Sequence, residues 1–399
     1  MERPLPKIRT NPLLAAVALA HAGGVVAYMP LVTLLLPLQV EALDKSAKID
    51  LLTAAVLIGG VAASVANILF GWLSDRSVEA GGGRRLWVVI GLCALALSYP
   101  ALALARTPAQ LLIAVALAQA AINAVLAPLF AIIAEEVPSS QKGLAGGLLS
   151  LGNPVAATFA VMLLAVAGLS DMARFALVPV AAVVLLLPLL ALRTRRFDPM
   201  PEPVQSLSRR DLLIASGSRL LVQLACATLG LYLLYYFQTI VTDDLDVAAG
   251  VGTLLMVSYI IPLPAAVIAG RWSDRLGVRR PFLFVSAAVG AMGLLGMAAA
   301  ADAWQGAIAF CVFAAGTAVF LSLHATFAMQ LLPKPDRRGR DLGLVNLANT
   351  LPSMIGALIV WQLATPEDFT LVMLAFAVLT LAGAVMILAV RERPASPAD

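Results

Sequence analysis

Charge is scarce in this chain: Asp, Glu, Lys and Arg make up 13% of its 399 residues, against about 25% in water-soluble domains. Cysteine is nearly absent, and Cys93, Cys226 and Cys311 each lie inside an apolar run, so neither a disulfide framework nor a metal cluster is implied. Histidine is limited to His21 and His324. No Walker loop, HExxH or GxSxG motif occurs, so ATP hydrolysis and enzymatic catalysis have no support, and no cofactor is expected. The composition excludes a soluble enzyme, a disordered chain and a disulfide-rich secreted domain. Residues 1–10 lead into an apolar run too long for a signal-peptide core, so no cleavable leader is expected.

What the chain has in excess is apolar surface: 61% of its residues are hydrophobic and the mean hydropathy is +0.93. Apolar runs fall near 12–38, 49–72, 86–105, 109–134, 143–169, 174–192, 212–241, 249–271, 281–300, 304–328, 342–364 and 370–390. Each is long enough to cross a bilayer, which needs about 20 residues of helix. An all-α membrane protein with twelve spans follows, and twelve spans place both termini on one side.

The basic residues orient it. Of the 27 Lys and Arg, 22 fall on the side that holds the termini, and Lys45, Lys48, Arg106 and Arg174 are on the opposite loops. The positive-inside rule then puts both termini in the cytoplasm. Net charge +4 with pI near 9.1 is therefore a matter of topology, and no nucleic-acid partner is implied. Membrane lipid and a small-molecule substrate are the expected partners of a monomer in a bacterial cytoplasmic (inner) membrane.

The Pro- and Arg-rich segment 193–211 divides the chain into residues 1–192 and 212–399, six spans each. The halves repeat each other. Gly71-Trp72-Leu73-Ser74-Asp75-Arg76 returns as Gly270-Arg271-Trp272-Ser273-Asp274-Arg275, 199 residues later. Phe130-Ala131, Pro138 and Gly146 return as Phe327-Ala328, Pro335 and Gly343, 197 residues later. Two parallel six-helix repeats are indicated.

Spans 3, 6, 9 and 12 are almost purely apolar and suit lipid-facing positions. Spans 1, 4, 7 and 10 carry polar pairs at helical spacing: His21 and Tyr28, Gln119 and Asn123, Arg219 and Gln223, Thr317 and His324. Polar groups in a bilayer are costly unless they face a wet cavity or a partner. One polar helix from each three-helix unit predicts a central cavity lined by four helices.

The paired loops Gly71 to Arg76 with Arg84-Arg85, and Gly270 to Arg280, resemble the major facilitator superfamily over essentially the whole chain. Residues 66–76, 232–236 and 341–349 further resemble its glycoside–pentoside–hexuronide and sucrose-type symporters. The resemblance implies an alternating-access carrier whose substrate site lies between two pseudo-symmetric six-helix bundles. It also implies that Asp75 faces the start of span 11 and Asp274 the start of span 5. Asp75, Arg76, Arg85, Glu135, Asp274, Arg275 and Asp341 are then the candidate gating residues; a loop anchor is the alternative role for the two aspartates. Glu135 and Glu136 are expected to pair with Arg84, Arg85 or Lys142.

The chain departs from that branch in one respect: no acidic residue falls in mid-span. Candidate substrate contacts are His21, Tyr28, Asn123, Arg219, Gln223, Tyr236, His324, Asn346 and Asn349. Arg219 either faces the cavity or snorkels to the interface. His21 and His324 are candidates for proton coupling or are packing residues. Asn346 and Asn349 read as ligand contacts or as interhelical hydrogen bonds. A helical wheel turns Tyr232 and Tyr235 away from Arg219 unless span 7 bends near Gly230. Cationic side chains without a central carboxylate point to a neutral polar or anionic organic solute, such as a sugar, glycoside or organic acid. Drug or metabolite efflux by an antiporter of the same fold, and a non-transporting sensor, are the competing readings.

Overall fold

The computed structural model describes residues 12–137, 141–166, 168–192, 209–241, 246–276, 278–329 and 338–390. Side chains at 142, 143, 209, 212, 274, 325–329 and 338–349 lie outside this description.

In the first half, α1 (Pro12–Val26) continues through a π-helical segment (Leu31–Leu35) into α2 (Leu36–Leu43). There follow α3 (Lys48–Glu79), α4 (Arg84–Leu104), α5 (Pro108–Glu136), α6 (Lys142–Leu149), α7 (Gly152–Ala165) and α8 (Asp171–Ala191). The second half holds α9 (Arg209–Ile240), α10 (Val247–Ile260), α11 (Pro262–Leu276) and α12 (Arg280–Ala299). It closes with α13 (Ala303–Met329), α14 (Arg338–Leu363) and α15 (Thr370–Ile387). Among the described residues, eleven helical stretches are long and apolar enough to cross a membrane, and the described part of α14, Thr350–Leu363, is a shorter apolar one. Helix is the form such runs must take, because hydrocarbon offers no partner to an unpaired backbone group.

Three expected spans are interrupted, each beside proline. Pro30 and Pro37 flank the π segment, where Leu36 N–H bonds to the Leu31 carbonyl, five residues back. Proline supplies no N–H, and a local change of helical pitch re-pairs the freed groups. The fifth run breaks at Ser150–Leu151, ahead of Pro154, and the Ser150 hydroxyl donates to the Gly147 carbonyl at 2.6 Å. The eighth breaks at Ile261, between α10 and the Pro262 that opens α11.

Packing repeats between the halves. A Cβ on Gly91 would meet the backbone of Ala124 and Val125 at 2.7 Å, which brings α4 and α5 into backbone contact. Gly290, Gly293 and Gly316 do the same for α12 and α13. Gly23 lets α1 lie on Leu185 and Leu186 of α8, and Gly383 lets α15 lie on Ser218 and Val222 of α9. Arg85 donates to the Leu189 carbonyl at the end of α8, and Arg280 to the Leu388 and Val390 carbonyls beyond α15. The two leucines are 199 positions apart, so the same clamp is built twice. Leu97, Val184, Met292 and Val378 are exposed on the helices expected to face lipid.

Candidate functional site

Helix α9 is continuous through Gly230, and its polar residues sort by depth. Arg219, ten residues beyond Arg209, lies roughly 15 Å along the helix at 1.5 Å per residue. Its Nε donates to Gln223 Oε1 at 3.2 Å, one turn on. The guanidinium is half-buried and has no carboxylate partner among the described residues. His324 of α13 lies close enough to feel its charge. The His324 ring is fully buried, stacks at 5.5 Å on Phe320 and brings Nε2 to 2.8 Å from the Ala215 carbonyl. Since a carbonyl only accepts, Nε2 carries the proton. His324 therefore ties α13 to α9.

His21, in α1, is isolated from that group. Its ring lies 5.9 Å from Phe130 and against Gly152, where any Cβ would meet Nδ1 at 2.7 Å. Nδ1 is buried without a well-formed hydrogen bond, beside the Leu149 backbone. Asn123 is buried between α5 and α3: its amide donates to the Gln119 carbonyl at 2.9 Å and its oxygen accepts from Asn67 at 3.1 Å. Tyr28 shares an apolar cluster with Met256 and Tyr259 of the second half. Tyr236 donates to the Met297 carbonyl of α12 at 2.8 Å, inside its own half.

Toward the Lys48 end of the molecule the halves are bonded together. Lys48 Nζ donates to Gln238 Oε1 at 2.7 Å and stands 4.7 Å from the centre of the Tyr235 ring. Gln238 Nε2 donates to Glu41 Oε2 at 2.7 Å. Tyr235 donates to the Pro37 carbonyl at 2.9 Å, Tyr232 and Thr53 share a hydrogen bond of 2.7 Å, and Trp361 donates to Asp50 at 2.8 Å. Deeper in, the Ser64 and Thr350 hydroxyls meet at 3.2 Å. The turn before α3 is pinned by Asp44, which accepts from the Ser46 hydroxyl at 2.6 Å and from the Ser46 and Ala47 amides at 3.0 Å. The Ser46 hydroxyl, followed by the Ala47 amide, holds the Asp44 carboxyl below its ordinary range.

The Arg84 end is built differently. Here α6 packs on α1 and α11 on α13, each within its own half, whereas their continuations α7 and α10 touch across the halves. Among the described residues, a Cβ on Gly71, Gly146 or Gly147 would meet nothing within 4 Å. Arg84 donates to Asp75 at 2.5 Å, to Ser74 at 2.8 Å and twice to Glu135; Arg85 makes a two-point pair with Glu136 at 2.6 and 2.9 Å. Arginines at the positive start of α4 and carboxylates at the negative end of α5 each stand where the helix dipole disfavours them, and pairing relieves both. The expected pairing of Glu135 and Glu136 with Arg84 and Arg85 is thus present. Arg76 lies over the Trp72 ring at 5.1 Å and Arg275 is exposed. Asp75 engages its own half; the start of α14, where the resemblance places its partner, is outside the described side chains. So are the side chains of Asp274, Asp341, Asn346 and Asn349.

The described members of the expected set are thus not brought together: Arg219 lies with Gln223 and His324, His21 is alone, Asn123 pairs with Asn67, Tyr28 packs with Met256 and Tyr259, and Tyr236 is bonded to Met297. The contacts between the halves made by Glu41, Lys48, Asp50 and Trp361 had no sequence signal beyond charge and aromaticity near span ends.

Compared with known proteins, the sequence profile of the Major Facilitator Superfamily matches residues 13–246 and again residues 220–399. No curated protein sequence matches. Among solved structures, a mutant of the nucleoside transporter NupG is similar at TM-score 0.72 and 14% identity, covering 95% of this chain and 100% of that one. The xylose transporter XylE from E. coli, in a partially occluded inward-open conformation, is similar at 0.66 and 15%, with 96% and 100% covered. A D-xylose–proton symporter is similar at 0.65 and 16%, with 95% and 96% covered. At these identities the likeness is one of fold.

Proposed function

Because the chain belongs to the major facilitator superfamily, we propose that it is a secondary transporter that moves a small polar or anionic organic solute by alternating access. The positive charges support a reading in which the Arg84 end lies in the cytoplasm with both termini, and in which twelve spans are divided into bundles 1–192 and 212–399 by the linker 193–211. Bonding at the Lys48 end then joins the halves on the side opposite the termini. Asp75, Arg76, Arg85, Glu135, Asp274, Arg275 and Asp341 are assigned to gating at that end.

The observation that carries the substrate class is Arg219. A half-buried guanidinium within the span, bonded to one neutral amide and to no described carboxylate, has its charge left to be met by a ligand. Two-point recognition of a carboxylate is the chemistry that fits this group. Gln223 beside it is assigned to the same ligand, and Tyr28, Asn123, Tyr236, Asn346 and Asn349 are kept as further candidates. Proton coupling, if the solute moves with a proton, is assigned to His21 rather than His324, because His324 is committed to the Ala215 carbonyl. The narrower kinship with glycoside–pentoside–hexuronide symporters is kept with that substrate class.

The test is thermal stabilisation of the purified protein by a panel of hexuronates and other small carboxylates, neutral glycosides, pentoses, nucleosides and lipophilic cations. Carboxylates are expected to raise the melting temperature, and Arg219→Ala to abolish that rise while sparing any response to neutral sugars. Stabilisation by carboxylates that is unchanged in Arg219→Ala would refute the anion reading. Stabilisation by lipophilic cations alone would favour efflux.

A further inference from the structure

Gln238 stands between two opposite charges of the other half. Its amide oxygen accepts from Lys48 and its amide nitrogen donates to Glu41, both at 2.7 Å. Lys48 is buried, with 5% of its surface exposed, and makes no direct ion pair with Glu41. The two charged groups are nonetheless no more than about 8 Å apart, the sum of two hydrogen bonds and the width of one amide. Both belong to the first half, on either side of the turn that Asp44 pins. Gln238 belongs to the second half.

We infer that Gln238 is the removable keeper of a latch: with the halves joined at the Lys48 end it bridges Lys48 and Glu41, and with the halves apart those two residues pair directly with each other. Such an exchange keeps both charges partnered in either state, so separation strands neither. The Tyr235 ring under Lys48 and the Tyr235 bond to Pro37 release at the same time, since both cross the same seam. An amide suits the keeper. It offers a donor and an acceptor on one planar group, whereas a carboxylate would repel Glu41 and an ammonium would repel Lys48. An amide is also indifferent to which side bears which charge, because turning it over exchanges donor and acceptor.

This inference rests on the alternating-access reading, and its test separates the two. In a chain with Cys93, Cys226 and Cys311 replaced, Gly252→Cys places a reporter where Leu34 and Val161 of the first half close over it at 3.4 Å. A second reporter, Ser150→Cys, sits on the exposed break between α6 and α7. Both are labelled in membrane vesicles of either sidedness with a membrane-impermeant maleimide. Gln238→Ala, Gln238→Glu, Glu41→Lys and Lys48→Glu are each expected to speed labelling at 252 by about tenfold, the scale set by losing one hydrogen bond to a charged group. The exchanged pair Glu41→Lys with Lys48→Glu is expected to return labelling to the parent rate. Parent-like labelling in Gln238→Ala and Gln238→Glu, or an exchanged pair that labels as fast as the single reversals, would overturn the latch. Alternating access is judged by the other reporter: labelling at 150 falls as labelling at 252 rises, and failure of that exchange with the latch pattern intact counts against the rocking motion alone.

Discussion

Arg84 holds Glu135 at two points, Nε to Oε2 at 3.1 Å and Nη2 to Oε1 at 2.6 Å, and spends its remaining nitrogen on Asp75 and Ser74. This single guanidinium joins the end of α3, the start of α4 and the end of α5. The neighbouring pair is more enclosed: the Glu136 side chain is only 2% exposed. Arg85→Ala leaves that carboxylate buried and alone, at a cost of about 3–5 kcal/mol. Arg84→Lys keeps the charge but loses the fork, at about 1–2 kcal/mol. Thermal unfolding in detergent is expected to rank the two variants in that order.

Asp75 is half-exposed, so its loss is expected to leave the melting temperature close to that of the parent. Transport in proteoliposomes is nonetheless expected to fall in Asp75→Asn, because the residue is assigned to gating. Unchanged transport with unchanged stability would make it a loop anchor.

Glycines separate packing from motion. Gly91→Ala drives a methyl into the backbone of Ala124 and Val125, where no side chain can yield, and is expected to destabilise by about 1–3 kcal/mol. Gly147→Ala meets no described atom within 4 Å and is expected to leave stability intact. If the Arg84 end closes during transport, larger substitutions at Gly147 slow the cycle without unfolding the protein. Melting curves and uptake rates on the same preparations check both.

The histidines are expected to part ways. His324→Ala loosens the tie between α13 and α9 and lowers stability, because the Ala215 carbonyl loses its donor. His21→Gln is expected to flatten the pH profile of uptake while changing stability less, because the Nδ1 of His21 is already without a well-formed bond. A parent-like profile in the double variant His21→Gln, His324→Gln would remove histidine from the coupling scheme altogether.

Much of the architecture is legible in the sequence because hydrophobic length is a local property. The run at 86–105 becomes Arg84–Leu104 and that at 109–134 becomes Pro108–Glu136. The breaks at Ser150 and Ile261 escape the same reading, since hydropathy records side chains and proline acts through the backbone. Contacts one helical turn apart are equally accessible: Arg219 meets Gln223, and Asn123 meets Gln119. The helical wheel turns Tyr232 and Tyr235 off the Arg219 face, and they engage Thr53 and Pro37 of the other half without any break at Gly230. The partnership of Lys48 with Gln238, 190 residues away, is invisible by contrast, because it depends on how two bundles lean together.

An arginine in the first turn of α4 and another in the first turn of α12, Arg85 and Arg280, also fasten the ends of α8 and α15, through Leu189 in one half and Leu388 with Val390 in the other. A tie of this kind converts a row of helices into a closed hoop, which resists shear within itself. Deformation is then channelled into the seam between two stiff bodies. A thermal or mechanical disturbance should therefore loosen that seam before it loosens either hoop.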